Sequence, residues 1–182
     1  MSDADLSNSQ RFQSSDIRLE PLEPADFPAI RPWMDPRVFR VFREPVDDAQ
    51  LTQLLTKHED GRPISLGYRI VRAGDSAIVG VVHAVVDWRN HLAHIQQIVV
   101  GDPALRSKGI GAAALLELLD LCFREVGVHR VQIFVDDDNR SAIACYQRAG
   151  FQDEGLMRDA TRIADGYLSW HSMSILENEW FA

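Results

Sequence analysis

The spacing of apolar and polar positions changes several times along the chain, and each change predicts an element. Ile17-Arg18-Leu19-Glu20-Pro21-Leu22 alternates as a half-buried strand does, while Pro24 to Trp33 and Asp47 to Lys57 read as helical segments. Apolar runs on either side of Ala73-Gly74-Asp75-Ser76 predict a hairpin from Tyr68 to Val86, and Leu92 to Val100 predicts a further strand. After Asp102-Pro103 the period becomes helical. Ala112, Leu115, Leu116, Leu119, Cys122, Phe123 and Val126 share one face, and Glu117, Asp120, Arg124 and Glu125 the other. Gly127 ends that helix, and Arg130 to Val135 alternates as a strand running into Asp136-Asp137-Asp138-Asn139.

Strand, helix and strand in that order imply a crossover. A crossover of this length pairs its strands in parallel, with the helix N-terminus at their C-terminal edge. The hairpins upstream pair antiparallel. The fold class is therefore α+β (α/β): a mixed, mostly antiparallel sheet with a central parallel strand pair, flanked by helices.

The candidate chemistry lies where the first strand of that crossover meets its helix. Ile98-Val99-Val100 leads through Arg106-Ser107-Lys108-Gly109-Ile110-Gly111-Ala112 into the helix. The first amides of a helix have no intrahelical partner, and the macrodipole adds partial positive charge there, so phosphate oxygens are suitable acceptors. Gly109 and Gly111 allow close backbone approach, and Arg106 and Lys108 add charge at the mouth. The ligand class is a phosphorylated one, a pyrophosphate foremost. Gly-x-Gly alone also marks a tight turn with no ligand.

The pattern Arg-x-x-Gly-x-Gly-Ala, followed by Asn139-x-x-Ala142-x-x-x-Tyr146 and Gly150-Phe151, resembles the GCN5-related N-acetyltransferase (GNAT) superfamily. The resemblance covers roughly Asp16 to Trp180. Its nearest branch contains the ribosomal-protein alanine and spermidine N-acetyltransferases, to which Ile17 to Phe27, Gly155 to Ala160 and Asp165-Gly166-Tyr167 are similar, as is a last apolar strand ending in Glu179-Trp180. It implies a GNAT-like fold in which the basic glycine loop, Arg106 to Ala112, binds the pyrophosphate of acetyl-coenzyme A. Asn139 is then expected near the pantetheine or as a helix cap, and Tyr146 near the sulfur as the general acid. A splay of the parallel pair would free backbone amides at Ile98, Val99 and Val100 for the pantetheine and the oxyanion.

An amine attacks a thioester only when neutral, so its proton must go somewhere. Many family members carry a glutamate on the strand before the loop, but this chain has Gln96 and Gln97. An amide cannot take a proton. His94 is the nearest titratable residue and is the base candidate, with Asp87, His91 and His171 behind it; deprotonation through water needs none of them.

Composition narrows the remaining choices. A chain of 182 residues with 46% hydrophobic residues makes one ordinary domain, expected at 16–182 behind a disordered polar tail at 1–15. A net charge of -8 argues against nucleic acid and mildly for a cationic substrate. No apolar run reaches transmembrane length, and the tail lacks a signal-peptide core, so a cytoplasmic protein with no membrane partner is expected. Cys122 and Cys145 lack metal-ligand spacing and read as small hydrophobes, and Asp136 to Asp138 reads as a solvated loop, so no metal is expected. Trp33, Trp88, Trp170 and Trp180 read as packing residues. The acceptor is an amine, either a small molecule or a protein N-terminus. Trp33 to Gln53 is expected to wall its site, and the family pattern allows a homodimer. Two other readings stand beside this one. A non-catalytic coenzyme A-binding sensor would keep the loop without turnover. A dinucleotide-dependent oxidoreductase would use Gly109-x-Gly111-x-x-Ala114 and Asp136.

Overall fold

The alternating segments pair into one eight-stranded sheet in this computed structural model, which describes residues 16–34, 46–163 and 165–182. The expected tail at 1–15 lies outside the described residues, as does 35–45 of the expected acceptor wall. The strands are β1 (Ile17–Pro21), β2 (Lys57–Glu59), β3 (Arg62–Arg72), β4 (Ile78–Asp87), β5 (Leu92–Val100), β6 (Arg130–Asp136), β7 (Gln152–Ile163) and β8 (Gly166–Leu176). Their order is β1-β3-β4-β5-β6-β8-β7, with β2 beside β3. Among the described residues β5 with β6 is the parallel pair and the other pairings are antiparallel. This is the mixed sheet that the sequence predicts.

Helices α1 (Phe27–Ile30), α2 (Asp48–Thr52), α3 (Ile110–Asp120), α4 (Arg140–Arg148) and α5 (Glu177–Trp180) complete the fold. The sheet is buried on two sides by different clusters. On one face α3 packs Ile110, Ala113, Ala114, Leu115, Leu118 and Leu119, each at most 3% exposed, over the central strands. On the other, Phe27, Ile30, Met34 and Leu51 close over Val81 and Val99.

Three expectations change. The stripe of α3 is centred on Ala114 and Leu118, which leaves Ala112 and Leu116 only half-buried. Past Asp120 the helix widens to a π turn, closed by Gly127 N donating to Cys122 O at 3.0 Å. The predicted helix from Asp47 to Lys57 forms only over Asp48–Thr52, behind a reciprocal cap between Asp47 and Gln50. Beyond it Thr56 Oγ1 accepts from Gly67 N and donates to Gly67 O, both at 3.0 Å. This pins the chain to β3 and draws Lys57 into β2. The last strand likewise stops at Leu176, because Glu179 Oε2 accepts from Leu176 N at 2.8 Å and starts α5. Trp180 then stacks on Phe123 with ring centroids 6.1 Å apart.

Two local features position the site. Across β4 and β5, His83 pairs with Gln97 and Ala84 with Ile95, so Gln96 is a bulge. The bulge puts Ile95, Ile98 and Val100 toward α3, and Val99 toward the opposite cluster. The β5–β6 ladder runs from Leu92↔Arg130 to Ile95↔Ile133 and stops, although β5 continues to Val100 and β6 to Asp136. The parallel pair splays there.

Candidate active site

The splay opens a cleft of about 560 Å³ between the two strand ends. It is bordered by Ile98 and Val100 of β5, Arg106, Ser107, Gly109, Gly111 and Ala112 of the loop and α3, and Asn139, Ala142, Cys145 and Tyr146 of α4. Most of the residues that the sequence singles out therefore meet in one place. Gly101 N donates to Val79 O at 2.9 Å, so alternate residues of β5 turn their backbone to β4 and the intervening Ile98 and Val100 turn theirs to the gap. Val99 is the exception among the three strand residues: its side chain is buried on the far face at 2% exposure.

The loop reaches α3 through two left-handed residues, Ser107 (φ 59) and Gly109 (φ 96). Ser107 adopts a conformation that L-residues with a Cβ avoid, strain of the kind that a ligand-binding turn stores. Arg106 does not simply reach into solvent. Its Nε donates to Val100 O at 3.1 Å, which ties the loop to the end of β5 and holds the guanidinium at the cleft. Lys108 is exposed beside it, and Ile110 is a core residue at 1%. A Cβ built on Gly111 would meet only Val100 Cγ2 at 3.8 Å, so the protein itself does not require glycine there. The space beyond belongs to the cleft.

Asn139 caps α4, its Oδ1 accepting from Ala142 N at 3.2 Å and from Ser141 Oγ at 3.0 Å. The side-chain amide hydrogens remain for a ligand. Tyr146 lies seven residues on, two turns along the same face, with its ring 5.9 Å from Phe151. Burial raises the phenol pKa well above its ordinary value, with Cys145 adding to the shift, so the hydroxyl keeps its proton. Burial also raises the Cys145 thiol. Contrary to its reading as a core residue, Cys145 lines the cleft, whereas Cys122 is fully buried and its thiol is pushed up to about 12.

A second cavity of about 370 Å³ borders β5 from the opposite face, lined by Met34, Val46, Leu51, Leu54, Gln50, Gln53, His83, Val85, Gln96 and Gln97. His83 and its partner Ser65 are the polar residues that the sequence reading missed. The signal was one polar residue inside the apolar run Val81-Val82-His83-Ala84-Val85. His94 lies outside both cavities, its ring edge against Phe134 at 4.7 Å, and burial lowers its pKa. Asp87 caps the β4–β5 turn through Arg89 N and Asn90, His91 O accepts the amides of His129 and Arg130, and His171 Nδ1 lies 2.7 Å from Asp153. Each of these secondary base candidates has a structural place. No group of residues able to hold a metal occurs among the described residues.

Residues 24–151 match the sequence pattern of the acetyltransferase (GNAT) family. The chain belongs to that family. Over 68 residues this GNAT chain is 46% identical to N-alpha-acetyltransferase RimI of Mycobacterium tuberculosis, covering 36% of this chain and 40% of that protein. It thus spans less than half the length of that relative. With spermidine N(1)-acetyltransferase of Escherichia coli K12 it shares 26% identity over 169 residues, 91% of this chain and 89% of the relative. The fold is similar to that of spermidine N-acetyltransferase from Vibrio cholerae in complex with CoA and spermine, with a TM-score of 0.80 and 23% identity over 92% of this chain and 99% of that one. A dinucleotide-binding sheet is mostly parallel. The single parallel pair of this GNAT chain, among the described residues, does not fit the oxidoreductase reading. No helix among the described residues is long and apolar enough to cross a membrane.

Proposed function

We propose that this chain transfers an acetyl group from acetyl-coenzyme A to a primary amine, by direct attack within a ternary complex. The observation that carries the reading is the placement of two cavities on opposite faces of β5, beside the point where β5 leaves β6. One offers a glycine loop, a helix N-terminus and a phenol; the other offers room for an amine. The open space beyond Gly111 fits a pyrophosphate approaching the first amides of α3. When bound, acetyl-coenzyme A supplies a thioester open to attack.

Each residue then has one task. Ser107, Gly109, Gly111 and Ala112 present backbone to the pyrophosphate, with Arg106 and Lys108 supplying charge. Backbone groups of Ile98 and Val100 align the pantetheine, and an amide on this free edge donates to the carbonyl oxygen as it becomes an oxyanion. Asn139 holds the pantetheine while capping α4. Tyr146, protonated at neutral pH and held so by its partial burial, donates a hydrogen bond to the departing sulfur and delivers its proton as the C–S bond breaks, and the phenolate then regains a proton from water at the open cleft. The acceptor is a protein N-terminal amine, a polyamine or a small amine.

The reading includes a cytoplasmic location and pairing through the C-terminal strands, where β7 forms the sheet edge; light scattering tests the pairing. Initial rates measured against both substrates test the mechanism. Intersecting double-reciprocal lines are expected, and parallel lines would rule out direct attack.

A further inference from the structure

Strand β4 carries a buried polar group that the chemistry above does not use. His83 is 7% exposed, and its Nε2 lies 3.0 Å from Ser65 Oγ. The single hydroxyl hydrogen of Ser65 goes to Leu55 O at 3.0 Å. Ser65 can therefore only accept from the imidazole, so His83 carries its proton on Nε2 and its lone pair on Nδ1. That Nδ1 is buried without a hydrogen-bond partner. Burial, with the charge of Lys57 adding, holds the imidazole pKa down to about 4, so the ring is neutral near pH 7.

Directly across the ladder stands Gln97, whose Oε1 is buried and equally without a partner. The bulge at Gln96 causes this juxtaposition, because it turns Gln97 to the face of His83 just before β5 leaves β6. Both residues border the 370 Å³ cavity. Two unsatisfied acceptors on cross-strand partners call for a ligand rich in donors.

We infer that a small rotation of the two side chains opens His83 Nδ1 and Gln97 Oε1 to the cavity, where they accept the two N–H groups of the acceptor's reactive amine and so position it for attack. The inference rests on the acetyl-transfer reading and deepens it. A neutral primary amine has two hydrogens and one lone pair; two acceptors take the hydrogens and leave the lone pair to point at the thioester carbon. Both groups are uncharged, so they hold the amine without stabilising its protonated form as a carboxylate would. The proton lost after attack leaves to water, and His83 does not keep it. Among the described residues, alkyl groups of Met34, Val46, Leu51, Leu54 and Val85 and the amides of Gln50, Gln53 and Gln96 make up the rest of the wall.

Steady-state kinetics with N-terminal peptides and amino-acid amides, beside calorimetric binding of acetyl-coenzyme A, test this. His83→Phe and Gln97→Met are expected to lower kcat/KM for the amine on the order of tenfold to a hundredfold, with acetyl-coenzyme A affinity unchanged. His83→Asn, which restores an acceptor, is expected to recover part of the loss. Gln97→Glu should split the constants the other way, lowering the amine KM while lowering kcat, because a carboxylate favours the ammonium. Unchanged amine constants in both His83→Phe and Gln97→Met, in enzyme that still transfers acetyl, would overturn the pair's role alone. Wild-type protein that binds acetyl-coenzyme A but acetylates no amine would overturn the parent reading.

Discussion

Replacing Gly111 with Leu separates folding from binding. Gly111 is the second residue of α3, and a Cβ there meets nothing closer than Val100 Cγ2 at 3.8 Å. The helix should gain from losing a glycine, by up to about 0.8 kcal/mol. For a chain of this size that raises the melting temperature by roughly 2–3 °C. The same side chain must enter the cleft, where it holds phosphate oxygens away from the first amides of α3. Each lost hydrogen bond to a charged group costs about 1.5–3 kcal/mol, so two weaken acetyl-coenzyme A binding by roughly 10²–10⁴-fold. Gly111→Ala should show most of the thermal gain and a smaller binding loss. Differential scanning calorimetry and isothermal titration measure the two effects on one sample. Unaltered affinity in Gly111→Leu would remove the loop from the site. A fall in melting temperature would show that the space is needed by the protein itself.

Tyr146→Phe should leave acetyl-coenzyme A affinity intact and lower kcat by roughly 10²–10⁴-fold; an unchanged kcat removes Tyr146 as the acid. Gly67→Ala places a Cβ 1.5 Å from Leu54 O, a backbone atom that cannot swing aside, and should destabilise the fold by about 3 kcal/mol or more, which chemical denaturation reads directly. Stability should also fall with acid. His83 is neutral in the fold, with its pKa down at about 4 against 6.5 unfolded, so the unfolded chain gains the proton first and stability declines as pH drops through that window. The loss is at most about 3 kcal/mol for this group, with the depressed His94 adding in the same direction. Urea titrations at several pH values should show a shallower decline in His83→Gln, and an equal decline would exclude His83 as a source.

What the sequence disclosed was local chemistry. The anion loop was legible because Arg106, Lys108, Gly109 and Gly111 stand together between a strand and a helix. Asn139 was legible as a cap for the same reason, since a cap depends on three residues of chain. The splay was expected from the family pattern, and the ladder ending at Ile95↔Ile133 agrees with it. The bulge at Gln96 was not legible, because it exists only in the register of β5 against β4. Without it, alternation puts Gln97 on the face of Ile95, and its pairing with His83 disappears. His83 was hidden in the same way: its partner Ser65 is 18 positions away, on a strand whose extent the hairpin reading underestimated. Asp47 to Lys57 misled because the helix signal is real for one turn, after which contacts with Gly67 override propensity.

Acetyl transfer is tested most directly by amine-dependent release of free coenzyme A thiol from acetyl-coenzyme A. The panel is spermidine, free amino acids and short peptides with Ala or Ser at the N-terminus, with the product identified by mass spectrometry. Thiol release that requires one class of amine, matched by that amine gaining an acetyl group, is the predicted result. Tight acetyl-coenzyme A binding with no release on any amine would contradict it and favour the sensor reading.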